Sequence, residues 1–266
     1  MSQNTKALRV RIKSVTSTLQ LTKAMELVAS SKIRRANEAM QKGRQYGAAL
    51  QSTVDLLCSD RECLASPYMQ AREGERTRIV IIACDRGLAG GYNANVFRLA
   101  REYPDAEFVP VGKRACERFG AELVSSEHFS FDDAMELANK LCADFADGEF
   151  DRLGVISTEY ISVMTQEAKI TWLLPFEKKA EDTKTAVFEP DCLTVLNNIA
   201  REYVAGMITV LARESFASEV AARRIAMDSA GKNAQQMIDD LSLEYNRARQ
   251  GAITQEITEI VAGSGT

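Results

Sequence analysis

The segment IKSVTSTLQLTKAMELVASSKIRR, from Ile12 to Arg35, carries the centre of a long hydrophobic seam. The seam steps alternately by four and three residues, and eleven of its fifteen positions are apolar. This spacing is typical of a helix that packs against a second helix in a coiled coil. The positions are Leu8, Ile12, Val15, Leu19, Thr22, Glu26, Ala29, Ile33, Ala36, Met40, Gly43, Gly47, Leu50, Val54 and Leu57.

A second apolar stripe lies beside this seam. It consists of Leu21, Met25 and Val28, and it runs where Thr22 and Glu26 interrupt the seam. The helix therefore offers an apolar face to something besides its partner helix. Further along, Gly43 and Gly47 weaken the helix but allow another backbone to approach closely.

The C-terminal part of the chain repeats the helical signal. No proline occurs before Pro67 or after Pro190, so both ends are free to form long helices. Small alanines at many seam positions favour a close approach of two helices. The seam positions are Val220, Met227, Ala230, Ala234, Ile238, Leu241, Tyr245, Ala248 and Ala252.

Between these ends the period changes from helical to extended. The apolar run from Arg78 to Cys84 predicts a buried strand, followed by the glycine-rich turn DRGLAGGYNAN from Asp85 to Asn95. Alternating strands and helices imply a small sheet with helices packed on it. The other predicted strands cover 108–111, 153–158 and 165–174, the helices 96–102, 113–119 and 132–146, and a polar loop covers 178–185.

Charge is unevenly spread along the chain. Residues 1–57 carry a net charge of +7, whereas residues 58–190 carry −8 and residues 191–266 carry −3. A basic first helix on an acidic remainder suggests a negatively charged partner for that helix. A solvated charged face would give the same pattern.

The cysteines and the single histidine argue against a metal site. The six cysteines form no Cys-x-x-Cys pair, and His128 is the only histidine. We interpret the thiols as reduced, in a cytosolic compartment. Cys58 and Cys63 are close enough in sequence to form a redox pair, but two thiols near a helix end are more often small apolar residues.

No stretch of the chain predicts a membrane span or a signal peptide. The longest apolar runs fall short of the roughly 18 residues needed to cross a bilayer. The start, MSQNTKALRVRIK, has no apolar core.

Enzymatic chemistry and nucleic-acid binding both find little support. The turn DRGLAGG matches neither phosphate-loop pattern and offers no lysine to clamp a phosphate. With one histidine, no H-E-x-x-H and no G-x-S-x-G, nothing assembles into a catalytic site. The basic patch Lys32-Ile33-Arg34-Arg35 lacks interleaved aromatic residues, so an acidic protein partner explains it as well as nucleic acid does.

Three stretches resemble the γ subunit family of F-type ATP synthases. They are the opening helix from Ile12 to Arg35 with its TKAMELVASSK core, DRGLAGGYNANVF from Asp85 to Phe97, and YNRARQGAITQEITEIVAG from Tyr245 to Gly263. The resemblance extends over the whole chain in one order. It implies an α/β protein in which the terminal helices pair as a long antiparallel coiled coil beside a central Rossmann-like α/β domain.

The resemblance also implies function, partners and domain limits. The chain would be the central shaft of a proton-translocating ATP synthase, a non-catalytic part without a cofactor, with the coupling ion set by other subunits. Its partners would be the α and β subunits, the ε subunit and the c-ring, and not nucleic acid. The expected segments are a helix at 1–60, a globular domain at 61–190 and a second helix at 191–266.

Individual residues match family positions with known roles. Met25, Lys32, Arg34, Arg249, Gln250, Thr254 and Glu256 match positions that contact β. Arg223 matches a position in rotor coupling, and Phe188, Glu189 and Pro190 match the foot on the membrane ring. The DRGLAGG turn then becomes a structural element of the lower region.

Several features depart from the family pattern. The ending Gly263-Ser264-Gly265-Thr266 is more polar than is usual, and Arg224 stands where an apolar residue is more frequent. The inserted dithiol switch of chloroplast relatives is absent, so Cys58 and Cys63 inherit no regulatory role. We expect a bacterial protein, peripheral at the cytoplasmic face of the cell membrane. A free coiled-coil adaptor and a nucleotide-binding enzyme remain as alternatives.

Overall fold

The computed structural model describes residues 3–72, 74, 76–179 and 188–263. The chain begins and ends with the two longest helices, and the sheet lies between them in sequence. The elements are α1 (Gln3–Leu57), two 3₁₀ helices (Glu62–Ala65 and Pro67–Met69), β1 (Thr77–Ile82), α2 (Tyr92–Ala100), β2 (Glu107–Val111), α3 (Lys113–Phe119), α4 (Phe131–Ala146), β3 (Arg152–Tyr160), β4 (Gln166–Leu174) and α5 (Cys192–Gly263).

Most predicted boundaries fall within two residues of the observed ones. The largest difference is α2, which begins at Tyr92 and not at Val96. The side chain of Asn93 accepts a hydrogen bond from the backbone N–H of Cys84, so the last residues of the predicted turn are held at the end of β1 and belong to the first turn of α2. The predicted polar loop at 178–185 lies mostly outside the described residues.

The sheet has the order β2-β1-β3-β4. Strand β1 runs parallel to both β2 and β3, and β4 runs antiparallel to β3. Side chains of β1 alternate between the two faces, since Ile79 and Ile81 belong to one apolar cluster and Val80 and Ile82 to another. Both faces of β1 are therefore buried, which explains why this strand is a continuous apolar run.

Helices cover the two faces of the sheet. On one side α2 and α3 pack on Ile79, Ile81 and Ile156. On the other side α4, the end of α1 and the first turns of α5 enclose a larger core. This core places Phe145 of α4 at complete burial.

The chain divides into two compact units, and each long helix contributes to both. One unit comprises residues 32–222, and the other comprises residues 1–31 and 223–266. In the first unit α1 and α5 pair antiparallel, because Gly47 of α1 faces Met207 and Val210 while Leu50 faces Gly206. A methyl group added at Gly206 would lie 2.4 Å from Cδ1 of Leu50, so this glycine permits the close approach.

The predicted seams are confirmed by burial in both units. Each of the fifteen seam positions of α1 is buried or half-buried, and so is each of the nine on α5. Thr22, Gly43 and Gly47, which interrupt the apolar pattern, are themselves buried. The spacing therefore decides burial here more strongly than the residue type does.

Within the unit 32–222, an ion pair joins three elements. Arg44 of α1 contacts Glu214 of α5 at 2.5 Å and donates a hydrogen bond of 2.7 Å to the carbonyl oxygen of Tyr160 at the end of β3. Glu214 also accepts a hydrogen bond from the backbone N–H of Tyr160. This arrangement fixes the sheet against both long helices.

No helix in the described part of the chain is long and apolar enough to span a membrane.

Candidate partner-contact surfaces

Among the candidate residues, those in the last turns of α5 form the most exposed surface. After Ala252 every residue up to Gly263 is exposed. These turns include Ile253, Ile257, Ile260 and Val261, which are 46% to 69% exposed. A helix with so many exposed large apolar side chains indicates a surface that is buried against a partner.

The candidate contacts Arg249, Gln250, Thr254 and Glu256 lie on this same surface, and all four are exposed. At about 100° per residue they share one half of the helix with the isoleucines and Val261. Thr254 is held locally, because its hydroxyl donates a hydrogen bond of 3.0 Å to the carbonyl oxygen of Gln250. Sequence reasoning missed the apolar residues, although their spacing of four, three and one is a helical signal.

The other half of these turns has a different character. Gln255 and Glu259 lie there, in line with the seam of α5, and the amide of Gln255 donates to Glu259 at 3.0 Å. Polar groups that bond to one another on the same helix have less need of an external partner. The two halves therefore provide matched positions for comparing a contact surface with a solvated one.

Candidate residues on α1 differ in how much of their side chains is exposed to solvent. Met25 is half-buried, while Leu21 and Val28 beside it are 66% and 57% exposed. The predicted second apolar stripe therefore does present large side chains to solvent. Hydration of exposed apolar side chains is unfavourable, so the stripe is a further candidate for a partner contact.

Lys32 and Arg34 lie in the unit 32–222 and behave differently. The amino group of Lys32 lies 2.5 Å from Oε1 of Glu127, in the segment before α4. This hydrogen bond is the main reason why the pKa of Glu127 is lowered. Arg34 has a side chain that is 84% exposed and only a long contact of 3.9 Å to Glu38.

The remaining candidates lie on α5 and before its start. Arg223 is half-buried and Arg224 is exposed. Phe188 is half-buried against the large core, whereas Glu189 and Pro190 are exposed and joined by a cis peptide bond. The aromatic ring thus anchors a segment whose next two residues face outward. The polar ending from Ser264 to Thr266 lies outside the described residues.

The carboxylate of Asp85, the first residue of the glycine-rich turn, joins this turn to the start of α3 and to the segment before α4. This carboxylate accepts hydrogen bonds from the backbone N–H groups of Lys113, Ser126 and Glu127 and from the hydroxyls of Ser125 and Ser126. Burial alone would raise the pKa of Asp85, but these hydrogen bonds outweigh burial and lower it. A negative charge in this position repels a phosphate, which argues against a phosphate site in the turn.

The described residues contain no group of three or more His, Cys, Asp or Glu side chains that could hold a metal ion.

Comparison with known proteins identifies the family. The family model described as ATP synthase matches residues 4–266. The chain is 39% identical to the ATP synthase gamma chain of Ruminococcus albus over 280 residues, which covers 98% of each protein. The chain belongs to the ATP synthase gamma chain family.

Other relatives and solved structures agree with this assignment. The chain is 36% identical to the gamma chain of Acetobacterium woodii, named as sodium ion specific, over 99% of each protein. Its fold is similar to a chain of the Euglena gracilis mitochondrial ATP synthase (OSCP/F1/c-ring), with a TM-score of 0.67 at 18% identity, covering 97% of this chain and 93% of that one. A chain from the central stalk and c-ring of the Tetrahymena thermophila enzyme gives 0.64 at 21% identity, covering 79% and 99%.

Proposed function

We propose that this chain is the central rotor shaft of a proton-translocating ATP synthase, which transmits torque between a membrane ring and the catalytic α and β subunits. Its membership of the gamma chain family supports this, and a gamma subunit is non-catalytic. The single observation that carries the proposal is the exposed end of α5. Its isoleucines and polar candidate contacts lie on one face of the helix end, where every residue from Ile253 to Gly263 is exposed.

The chemistry of that face suits a contact that forms and releases repeatedly. Arg249, Gln250, Thr254 and Glu256 supply polar groups that exchange one partner for another, or for water, at little net cost. Interleaved isoleucines supply apolar surface that a surrounding sleeve of subunits would cover. A shaft whose faces differ presents each catalytic β subunit with a different surface in turn, and nucleotide affinity would change accordingly.

The basic part of α1 provides a second proposed contact with β. Arg34 is the best placed of the candidates on α1, because its guanidinium is exposed and its contact with Glu38 is long, at 3.9 Å. Lys32 must give up its contact with Glu127 before it binds an acidic loop of β. Met25 lies in the exposed apolar stripe and would add apolar area to such a contact.

The segment before α5 is the proposed foot on the c-ring. Phe188 fixes the segment to the core, so that Glu189 and Pro190 project outward. Arg223 is the proposed coupling position, and the ε subunit is a further proposed partner. The shaft would be peripheral, on the cytoplasmic side of a bacterial membrane. We retain 1–60, 61–190 and 191–266 as the proposed segments of the shaft and its globular domain.

The experiment that tests this proposal is reconstitution with α and β subunits from the same organism. We expect a large complex whose ATP hydrolysis depends on this chain, measured by size-exclusion chromatography and a coupled ATPase assay. The isolated chain should neither bind nor hydrolyse ATP.

Two other outcomes would support the alternatives. If folded α and β subunits do not associate with the chain, the result would favour a free coiled-coil adaptor. Nucleotide binding by the isolated chain, measured by calorimetry, would favour an enzyme. A variant lacking residues 253–263 tests the exposed end of α5 directly, because it leaves the described core of the unit 32–222 unchanged. Its complex with α and β should hydrolyse ATP more slowly than the complex with the full chain.

A further inference from the structure

Two buried thiols meet near the start of α5. Cys63 lies in the 3₁₀ helix that follows α1, and Cys192 is the first residue of α5. Their sulfur atoms are 2.7 Å apart and share a hydrogen bond, although the residues are 129 positions apart in sequence. Cys63 is fully buried and Cys192 is 3% exposed. The fold, and not local sequence, therefore brings these thiols together.

Neighbouring contacts hold the two backbone segments in place. The hydroxyl of Ser66 donates a hydrogen bond of 2.7 Å to the side-chain carbonyl of Asn197, one turn into α5. The thiol of Cys192 also lies 3.7 Å from the carbonyl oxygen of Leu57, at the end of α1. Because the scaffold positions both cysteines, their sulfurs meet without a backbone movement of the kind that separated cysteines need.

We propose that Cys63 and Cys192 form a reversible disulfide when the chain is exposed to a small neutral peroxide. The disulfide would join the segment after α1 to the first turn of α5. This inference goes beyond the proposed function and does not depend on it. The partner of Cys63 is thus Cys192, and not the sequence neighbour Cys58.

The reaction balances with hydrogen peroxide as the only oxidant. The thiolate of Cys192 attacks one peroxide oxygen, the O–O bond breaks, and a sulfenic acid forms with release of hydroxide. The sulfur of Cys63 then attacks the sulfenic sulfur, the S–O bond breaks, and water leaves as Cys63 loses its proton. Two thiols and one hydrogen peroxide give one disulfide and two waters.

The environment of the pair slows oxidation, because a raised pKa keeps a thiol protonated, and it selects for a small uncharged oxidant. Burial raises the pKa of both thiols, and the nearby charges of Asp60 and Glu62 raise that of Cys192 further. Negative charges also repel anionic disulfides such as oxidised glutathione. A small uncharged oxidant enters more easily. Within the pair, the hydrogen bond from Cys63 favours the thiolate of Cys192, so Cys192 reacts first.

The proposed bond has a consequence for stability. It would close a loop of 129 positions, and long loops lose the most entropy in the unfolded chain. The oxidised chain should therefore unfold about 5 to 10 °C above the reduced chain.

The test uses the purified full-length chain and hydrogen peroxide. The chain is treated, quenched with an alkylating agent, digested without reductant and analysed by mass spectrometry. We expect one linked peptide pair that contains Cys63 and Cys192, loss of two of the six free thiols, and complete reversal by dithiothreitol. Thermal unfolding of the same samples measures the stabilisation.

Matched variants identify the pair. Cys142→Ser should keep the link, because Cys142 is also buried, with a pKa raised by burial to about 12, but lies elsewhere on α4. Cys63→Ser and Cys192→Ser should each abolish it. A link between Cys58 and Cys192, cross-linked dimers only, or oxidation of all cysteines alike would overturn the proposal. Since peptide mapping of the unmodified chain already distinguishes these outcomes, a variant that fails to fold does not weaken the test.

Discussion

The two compact units differ in what they do with large apolar side chains. The unit 32–222 packs many of them into core clusters, where Phe145, Ile81 and Leu141 are fully buried, although Met164 and Leu88 on its surface are 75% and 62% exposed. The unit of residues 1–31 and 223–266 buries a narrow seam instead, and it exposes Leu21, Leu27 and Ile260 at 66%, 71% and 69%. The first unit therefore contains its own core, and the second depends on a surface that something else must cover.

The physical reason lies in geometry. A sheet with helices on both faces encloses side chains from all directions, whereas two helices touch along one stripe each. Helical stability in proteins comes mostly from tertiary packing of an apolar face. The end of α5, where every residue from Ile253 to Gly263 is exposed, has no such packing among the described residues of the chain. Binding of a partner would supply it.

The largest expected effect comes from Phe145→Ala in the self-contained unit. The ring of Phe145 stacks at 6.2 Å on Tyr68, packs against Phe150 at 5.5 Å, and lies beneath the guanidinium of Arg72. Removing it leaves a cavity, so we expect a loss of about 3 to 5 kcal/mol in the free energy of unfolding. Urea unfolding followed by circular dichroism measures this loss.

The matched control is Ile257→Ala at the exposed end of α5. Ile257 is 56% exposed, so the isolated chain should lose no more than about 0.5 kcal/mol. A loss similar to that of Phe145→Ala would break the comparison between the two units.

Asp85→Ala should have the next largest effect. Three backbone N–H groups and two hydroxyls would lose their acceptor, which costs about 2 to 3 kcal/mol of unfolding free energy. Because folding lowers the pKa of Asp85, its contribution is present above the ordinary value near 3.8 and is lost as pH falls through the lower folded value. Chemical unfolding at neutral and strongly acidic pH checks both statements.

The exposed Asp105, between α2 and β2, is the control for that prediction. Asp105→Ala should change the unfolding free energy by less than about 0.5 kcal/mol at either pH. Equal effects at the two positions would mean that the hydrogen bonds accepted by Asp85 do not stabilise the fold.

The seams and the sheet could be predicted because their signals are local. Every predicted seam position is buried or half-buried, and the parallel arrangement of β1, β2 and β3 follows from strands that alternate with helices. The spacing of hydrophobic residues repeats every three or four positions, so one polar residue such as Thr22 does not hide the pattern.

The pairings across long sequence distances could not be predicted. Lys32 meets Glu127, which is 95 positions away, and Cys63 meets Cys192 across 129 positions. No local pattern marks such partners, since a charged or thiol side chain has no period. For this reason Lys32 was expected only at a partner contact, whereas the structure gives it an intramolecular neighbour as well.

A smaller effect, on activity, is expected from Gln250→Ala combined with Glu256→Ala. Both residues lie on the exposed half of α5 that we propose contacts β. Loss of these polar contacts should lower the ATPase activity of the reconstituted complex several-fold, equivalent to about 1 kcal/mol. Circular dichroism of the isolated chain should show unchanged helix content.

Gln255→Ala combined with Glu259→Ala is the control on the other half of the same turns. These residues bond to each other at 3.0 Å, and their removal should leave the ATPase activity unchanged. If the two double variants behave alike, the end of α5 has no preferred contact face, and the proposed residues are not the contact.

The smallest expected effect concerns the ion pair of Lys32 with Glu127. Both side chains are partly exposed, at 42% and 26%, so solvent screening limits the contribution to about 0.5 kcal/mol. The hydrogen bond from Lys32 lowers the pKa of Glu127, so this contribution is present above the ordinary value near 4.5 and is lost as pH falls through the folded value. Lys32→Ala should therefore destabilise the chain slightly at pH 7 and not near pH 3, whereas Arg34→Ala should have no effect on the isolated chain at either pH.

The same pair separates intramolecular contacts from partner contacts within the unit 32–222. If an acidic loop of β binds Lys32, then Glu127→Gln releases the lysine for that partner and should strengthen assembly with α and β. Titration of the isolated chain into α and β, followed by ATPase activity, measures the apparent affinity. Weaker assembly of the Glu127→Gln variant would mean that the lysine acts only within its own unit. Arg34 would then be the remaining basic candidate on α1.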